Sequence, residues 1–297
     1  MYVITGATGH TGRAIAETLL KAGQQVTALG QSTEKLAPLA QLGAKTLAGD
    51  LRDPAFTTHA FAGATAVYAM LPSDYGAADF RAGQNAVADG IIAGSRAADV
   101  RHVVALSTVG AHLPADSGVL LGLHDLEQQL RTQLPDAHVR NLRVGLLFEN
   151  CFSFIPVIKH AGIVGGFPIR GAIEIPMVAT QDIAAVAADR LLRRDFTGQG
   201  HEYVLGPRDL SFQEMTAIIG RALSRPELAW VDFSYADAKA GLMQAGFSSS
   251  AAEAFVGMSK SINEGGYFGD DLQRTPGNTT STTFEDFVSQ FVAAFNH

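Results

Sequence analysis

Val3-Ile4-Thr5-Gly6-Ala7-Thr8-Gly9-His10-Thr11-Gly12 decides how this chain is read. A short β-branched run enters a G-x-x-G-x-x-G loop. An amphipathic segment follows at once, with Ile15, Leu19 and Ala22 spaced for one helical face and Gly23 as a stop. Each glycine has a task in such a strand–turn–helix unit. Gly6 permits the tight turn, Gly9 lets a pyrophosphate approach the backbone, and Gly12 lets the helix pack close to the strand. The N–H groups at the helix start then face phosphate oxygens. The loop Gly6, Thr8, Gly9, His10, Thr11 and Gly12 is therefore expected to bind a dinucleotide; the plainer alternative is a glycine-rich turn with no ligand.

Outward from this loop, β-rich runs recur at Gln25–Leu29, Lys45–Ala48, Ala66–Leu71, His102–Ser107 and Val139–Leu147. They are nearly continuous apolar runs, the pattern of strands buried on both faces. Helical stretches, among them Ala77–Ala97 and Val119–Thr132, lie between them. Strand–helix alternation at this spacing predicts an α/β fold, a doubly wound parallel sheet of the Rossmann, NAD(P)-binding kind, over residues 1–150. Residues 151–297 change character. Phe152–Gly166 is apolar and glycine-rich. Glu174–Val178 and Glu202–Leu205 read as strands, and Thr180–Leu192 reads as a helix. Three S/T-x-x-E pairs, Ser211/Glu214, Ser250/Glu253 and Thr282/Glu285, read as capping boxes, which makes those acids structural. A smaller C-terminal α/β substrate lobe is expected, with about 174–206 returning to the sheet.

Composition narrows the function classes. A formal net charge of −7 over 297 residues argues against sequence-independent binding to nucleic acid or anionic lipid. No apolar run approaches the roughly 20 residues of a membrane span, and Met1–Gly6 lacks the basic flank of a signal peptide. Cys151 is the only cysteine, so no internal disulfide or multi-cysteine metal site forms and a reducing cytoplasm is expected. No H-E-x-x-H or other clustered ligand pattern points to a metal.

Strand ends of an open parallel sheet are where ligands collect. After the second strand the sequence is Leu29-Gly30-Gln31-Ser32-Thr33-Glu34-Lys35. No acid stands at the strand end to bind the ribose hydroxyls of NAD, and the arginine typical of NADP sites is missing there. Gln31 and Ser32 suit a 2′-phosphate, with charge from Lys35, which otherwise is a solvated first-turn lysine. NADP (NADPH) is favoured and NAD is not excluded. Asp50, with the Leu51 backbone beside it, suits the adenine amino group or else a turn. Met70, Leu71 and Pro72 end the fourth strand where a cofactor ribose passes, and Ser107 ends the fifth beside the nicotinamide.

These residues together resemble the NmrA-like branch of the extended and atypical short-chain dehydrogenases. Thr5–Gly12, Gly49-Asp50, His102–Thr108 and Arg143-Val144-Gly145-Leu146-Leu147-Phe148-Glu149-Asn150 match in order, the last with Val144 in place of a proline. Val178–Ile183 and Thr282–Phe287 add to the match. The resemblance covers nearly the whole chain. It implies an NAD(P)H-dependent oxidoreductase, similar to the quinone-reductase-like members, passing hydride to a quinone or similar conjugated, aromatic acceptor. A monomer or homodimer is expected. The other reading is an NADP-binding redox sensor that acts through a protein partner without turnover. The Tyr-x-x-x-Lys pair of many relatives is absent from Ser117–Glu127, and the lysine position falls on Leu123. A sugar-nucleotide epimerase would lose its tyrosine base for the same reason. Quinone reduction needs proximity and electrophilic help more than a strong base. His124 is the candidate catalytic residue, because imidazole titrates near neutrality; its plain alternative is a helix-surface histidine. Phe148 and Asn150 are candidate substrate-side residues, with Phe148 as core the alternative. Glu127 and Arg143 are expected to form a structural ion pair.

Overall fold

The computed structural model describes residues 1–297. The elements alternate as the apolar runs predict: β1 Tyr2–Ile4, α1 His10–Lys21, β2 Val26–Gly30, α2 Thr33–Gln41, β3 Lys45–Ala48, α3 Pro54–Phe61, β4 Ala66–Ala69, α4 Phe80–Ala97, β5 His102–Thr108, α5 Leu121–Gln133 and β6 His138–Val144. The second half adds β7 Leu146–Leu147, α6 Ile155–Ala161, β8 Ile175–Val178, α7 Thr180–Arg193, β9 Gln199–Val204, β10 Asp209–Leu210, α8 Phe212–Ala222, α9 Tyr235–Gln244, α10 Ser249–Asn263 and α11 Phe284–Asn296.

Seven strands form one sheet in the order β3-β2-β1-β4-β5-β6-β9, and every neighbouring pair is parallel. The order reverses between β1 and β4, the topological switch point where doubly wound sheets hold their ligands. Two apolar layers cover its faces, one centred on Ile4, Ile15 and Leu19, the other on Val3, Phe61 and Ile91. A third cluster joins Val109 and Leu120, beyond the strand ends, to Phe148, Phe154, Phe212, Phe284 and Phe287. The C-terminal elements therefore share a core with the carboxyl ends of the strands.

The expected strand Val139–Leu147 is two strands. β6 follows β5 and β9, but at Gly145 the chain leaves the sheet, and Leu146 and Leu147 pair with Met177 and Val178 in a small β10-β8-β7 sheet. A Cβ on Gly145 would stand 2.5 Å from the Pro176 carbonyl oxygen, so only glycine lets the two backbones pass. The α4 helix begins at Phe80, not Ala77, because the Asp79 side chain accepts from the Ala82 N–H and sets the start. Two capping boxes shift. Ser248, not Ser250, caps α10, accepting from the Ala251 N–H, while Glu253 pairs with Lys239. Thr283 and Asp286, one residue beyond Thr282/Glu285, form the reciprocal box of α11. Ser211 caps α8 as expected, but the Glu214 carboxylate turns to Arg208. At α10 and α11 serine or threonine recurs in neighbouring registers, and the hydroxyls that do not cap bond elsewhere, Ser250 accepting from the Phe80 N–H and Thr282 donating to Asp182.

Candidate active site

The glycine loop has the conformation its sequence demands. Gly6 takes φ +61, and a Cβ on Gly12 would stand 2.4 Å from the Gly6 carbonyl oxygen. The buried Thr5 hydroxyl donates to the Tyr68 and Met70 carbonyls and accepts from the Met70 N–H, so the ends of β1 and β4 are pinned together at the switch point. Asp and Ser side chains cap α2, α3 and α4. The helix after the glycine loop opens on Gly9 with no side-chain cap, leaving first-turn N–H groups for an anion.

A polar cavity of about 560 Å³ lies over this loop, lined by Gly6, Thr8 and Gly9, by Gln31, Ser32 and Lys35, by Asp50, Leu51 and Arg52, and by Met70 and Pro72. The ends of β2 and β3 meet there, the Gly49 N–H donating to the Gly30 carbonyl. Arg52 brings a guanidinium into this cavity from the neighbouring strand end. Its guanidinium donates to both carboxylate oxygens of Asp50 at 2.7–3.0 Å and holds that carboxyl below the usual carboxylate range. Asp50 is thus an anion with a partner already in place.

An apolar cavity of about 440 Å³ continues over the ends of β4, β5 and β6. Leu71, Leu106, Leu120 and Leu123 form its floor and side, and Phe167, Phe247 and Phe255 reach it from the C-terminal half. Met70, Ser73, Phe80 and Gln84 line both cavities, so the two are one cleft with a polar and an apolar end. Ser107 lines the apolar end, and its hydroxyl donates to the Glu127 carboxylate. Glu127 and Arg143 form the expected ion pair, Nη2 to Oε2 at 2.8 Å with both side chains buried. The Arg143 Nη1 lies 3.4 Å from His201 Nε2, and Asp271 receives both His201 and the Tyr203 hydroxyl. The Tyr203 hydroxyl is pushed up to about 12, by burial first and by Asp271 second.

The structure places the other expected site residues as follows. His124 is not among the residues that line the cleft; its Nδ1 lies 2.8 Å from the Ala111 carbonyl oxygen and donates to it, tying α5 to the loop after β5. Phe148 is core, 1% exposed, and packs on Phe284 and Phe287. His10 is exposed, and Thr11 and Gly12 are buried in helix packing, outside the cavity lining. Asn150 stands exposed at the mouth of the apolar end. The sequence reading missed Arg52, Gln84, Tyr75 and the lobe aromatics. Arg52 sits inside Gly49-Asp50-Leu51-Arg52-Asp53 and was legible had the third strand end been weighed with the second. Gln84 and Phe247 carry no motif.

The whole arrangement defines a dinucleotide-binding protein of the doubly wound class. A family model described as NAD(P)H-binding matches residues 6–136. A (4-alkanoyl-5-oxo-2,5-dihydrofuran-3-yl)methyl phosphate reductase from Streptomyces griseus is 31% identical over 86% of this chain and 85% of its own. An NAD(P)H azoreductase from Xenophilus azovorans is 27% identical over 99% of each chain. The crystal structure of an NADPH-dependent quinone oxidoreductase from Escherichia coli, complexed with NADPH, shares the fold. It gives a TM-score of 0.79 at 23% identity over 98% of this chain and 100% of that one. The chain belongs to the NAD(P)H-binding family.

Proposed function

We propose that this chain is an NADPH-dependent oxidoreductase that passes hydride to a quinone or similar conjugated acceptor. The observation that carries the reading is the continuity of the cleft. A polar end built for phosphates and adenosine runs, through Met70 and Gln84, into an apolar end lined by aromatic rings. The bound dinucleotide supplies the hydride. The chain's own residues hold and select: the uncapped α1 N-terminus for the pyrophosphate, Asp50 and Leu51 for adenine, and Gln31, Ser32, Lys35 and Arg52 for a 2′-phosphate. Ser107 is fixed by Glu127 so that its hydroxyl oxygen accepts instead of donating. Leu71, Leu106 and the lobe aromatics exclude water and suit a flat apolar ring. The relatives named as reductases support the class of reaction; the acceptor is inferred from the apolar end.

The chain divides in function near residue 150, with a nucleotide-binding domain at 1–150 whose strand ends also floor the apolar end, and a lobe at 151–297 that adds Phe167, Phe212, Phe247 and Phe255 to it. No helix is long and apolar enough to cross a membrane, and the buried lone Cys151 suits a reducing cytoplasm. The test is cofactor oxidation, followed by absorbance, with NADPH and NADH against a panel of quinones. Rapid NADPH consumption with weak NADH use supports the reading. Tight NADP(H) binding with no acceptor reduced moves the chain to the sensor class.

A further inference from the structure

Charge is distributed unevenly along the cleft. The polar end holds two cations, Lys35 and Arg52, together with Asp50 and Asp74. No lysine, arginine or histidine lines the apolar end. Its polar side chains are neutral hydroxyls and amides, with one exception, the carboxylate of Glu149. Met70, Ser73, Phe80 and Gln84, which line both ends, are uncharged. The buried Arg143 guanidinium lies outside the lining and is paired with Glu127. Glu149 also occupies a helix end that would otherwise attract an anion. The α7 helix starts at Thr180 after Ala179, with no side-chain cap from Ala179. Glu149 supplies the cap from outside the helix, accepting from the Thr180 N–H and from its hydroxyl. The positive end of α7 is thereby filled, and Asp182 adds a second acid in its first turn. Two hydroxyls of the lining are committed as well, Ser107 donating to Glu127 and Thr108 to the Val109 carbonyl.

We infer that the apolar end selects its acceptor by charge, with Glu149 as a specificity-determining residue: neutral conjugated rings are taken, and rings carrying a sulfonate, carboxylate or phosphate are excluded. The inference rests on the oxidoreductase reading above. An anionic ring entering this end leaves water without gaining a counter-charge. It also meets the Glu149 carboxylate where the effective dielectric is well below that of water. A neutral ring gives up little hydration and gains apolar contact. Hydride transfer oxidises the dihydronicotinamide and leaves one negative charge on a quinone oxygen. A proton from solvent neutralises it, and the hydroquinone leaves uncharged. A sulfonate has no such relief, because it stays ionised through the whole cycle. Discrimination here comes from a repulsive element as much as from apolar fit.

The test compares two acceptors of nearly equal bulk that differ in charge, 1,4-naphthoquinone-2-sulfonate and 2-methylsulfonyl-1,4-naphthoquinone. Each rate is referenced to reduction by N-benzyl-1,4-dihydronicotinamide without protein, so that intrinsic reactivity cancels. With NADPH, the referenced kcat/KM of the wild-type protein is about 10- to 100-fold lower for the sulfonate, carried mainly by KM. Glu149→Gln keeps an acceptor oxygen for Thr180 and removes the charge, and it narrows the preference several-fold. Asn150→Lys sets a cation at the exposed mouth and narrows the preference independently, by lowering the KM of the sulfonate. Both variants are read as a ratio between two acceptors, so a general loss of activity cancels. Equal referenced kcat/KM for the two acceptors in the wild type, or a preference that neither variant narrows, would overturn the inference and leave the oxidoreductase reading standing. A wild-type protein that binds NADPH but reduces neither acceptor would overturn both.

Discussion

Arg52 bears on the proposed choice of NADPH. Gln31 from the end of β2 and Arg52 from beyond the end of β3 line the same polar cavity, and on the proposed reading both serve a 2′-phosphate. Its pairing with Asp50 keeps the guanidinium oriented, though half exposed, so the pair itself adds little stability. Selectivity is where its removal shows. Arg52→Gln should weaken adenosine 2′,5′-bisphosphate about tenfold or more, on the scale of a lost charge-assisted contact, and leave 5′-AMP nearly unchanged. Calorimetric titration of both ligands checks this. Lys35→Gln should act in the same direction and more weakly, since lysine offers a point charge and no fork. An unchanged ratio of the two affinities in Arg52→Gln would remove Arg52 from the phosphate site.

The buried Glu127–Arg143 pair is a different kind of residue-scale feature. It bridges α5 to β6 and holds Ser107 at the end of β5. Removing one partner leaves an uncompensated buried charge. Arg143→Met is expected to cost about 3–5 kcal/mol, read from chemical denaturation. Glu127→Gln, which keeps a hydrogen-bond acceptor for Ser107, should cost less than Glu127→Ala.

At the scale of elements, α4 and α5 carry the floor of the cleft, and Arg81 on α4 joins them by donating to both carboxylate oxygens of Asp125 at 2.7 and 2.8 Å, with Asn85 as a third donor. The Arg81 guanidinium foremost, then Asn85, holds the Asp125 carboxyl below its ordinary value against the opposing effect of burial. A carboxyl lowered on folding contributes stability above its unfolded pKa of about 3.9, and that contribution is lost as pH falls through the folded value. Arg81→Met should therefore be less stable than wild type at neutral pH, by about 1 kcal/mol or less because Arg81 is half exposed. The difference should shrink as pH drops below about 4. Denaturant melts of the two proteins at neutral and acid pH test the sign.

Element-scale reading also shows what the sequence could carry. The β1–loop–α1 unit was legible because turn, phosphate approach and helix packing each demand glycine at a fixed offset. The parallel strands were legible because strands buried on both faces have no polar alternation. The break at Gly145 was not, because Val139–Leu147 reads as one β-rich run, and only the proximity of Pro176 shows why the backbone changes sheets. The register of the α10 and α11 caps was hidden by runs of Ser and Thr, which offer a cap one or two residues earlier or later. His124 lies on the helix beside the cleft with its ring hydrogen-bonded to the Ala111 carbonyl, a partner that motif spacing alone does not reveal.

On the scale of the whole molecule, the two halves meet over the acceptor end of the cleft. The 71–80 segment after β4 and the α9–α10 junction are clasped by two hydrogen bonds, one between backbones and one to a side chain: the Ser248 N–H donates to the Tyr75 carbonyl, and the Phe80 N–H donates to the Ser250 hydroxyl. Tyr75 stacks on Phe247 at 4.7 Å and on Phe80 at 5.8 Å, and Phe247 meets Phe255 edge to face. The rings line the cleft and bridge elements about 170 residues apart, so the closed shape of the acceptor end depends on both halves. Phe247→Ala removes a ring that packs on both Tyr75 and Phe255. The loss of stacking is worth about 0.5–1.5 kcal/mol per pair beyond buried area, and the clasp should loosen while the nucleotide end, held by β1, β2 and β3, keeps its shape. The expected result is a several-fold higher KM for a bulky apolar quinone with NADPH affinity unchanged. Segment 71–80 should also exchange its amide hydrogens faster, since its link to α10 is weakened. A parallel loss of NADPH affinity would show instead that the clasp organises the entire cleft, with Met70 and Phe80, which line both ends, carrying the effect across.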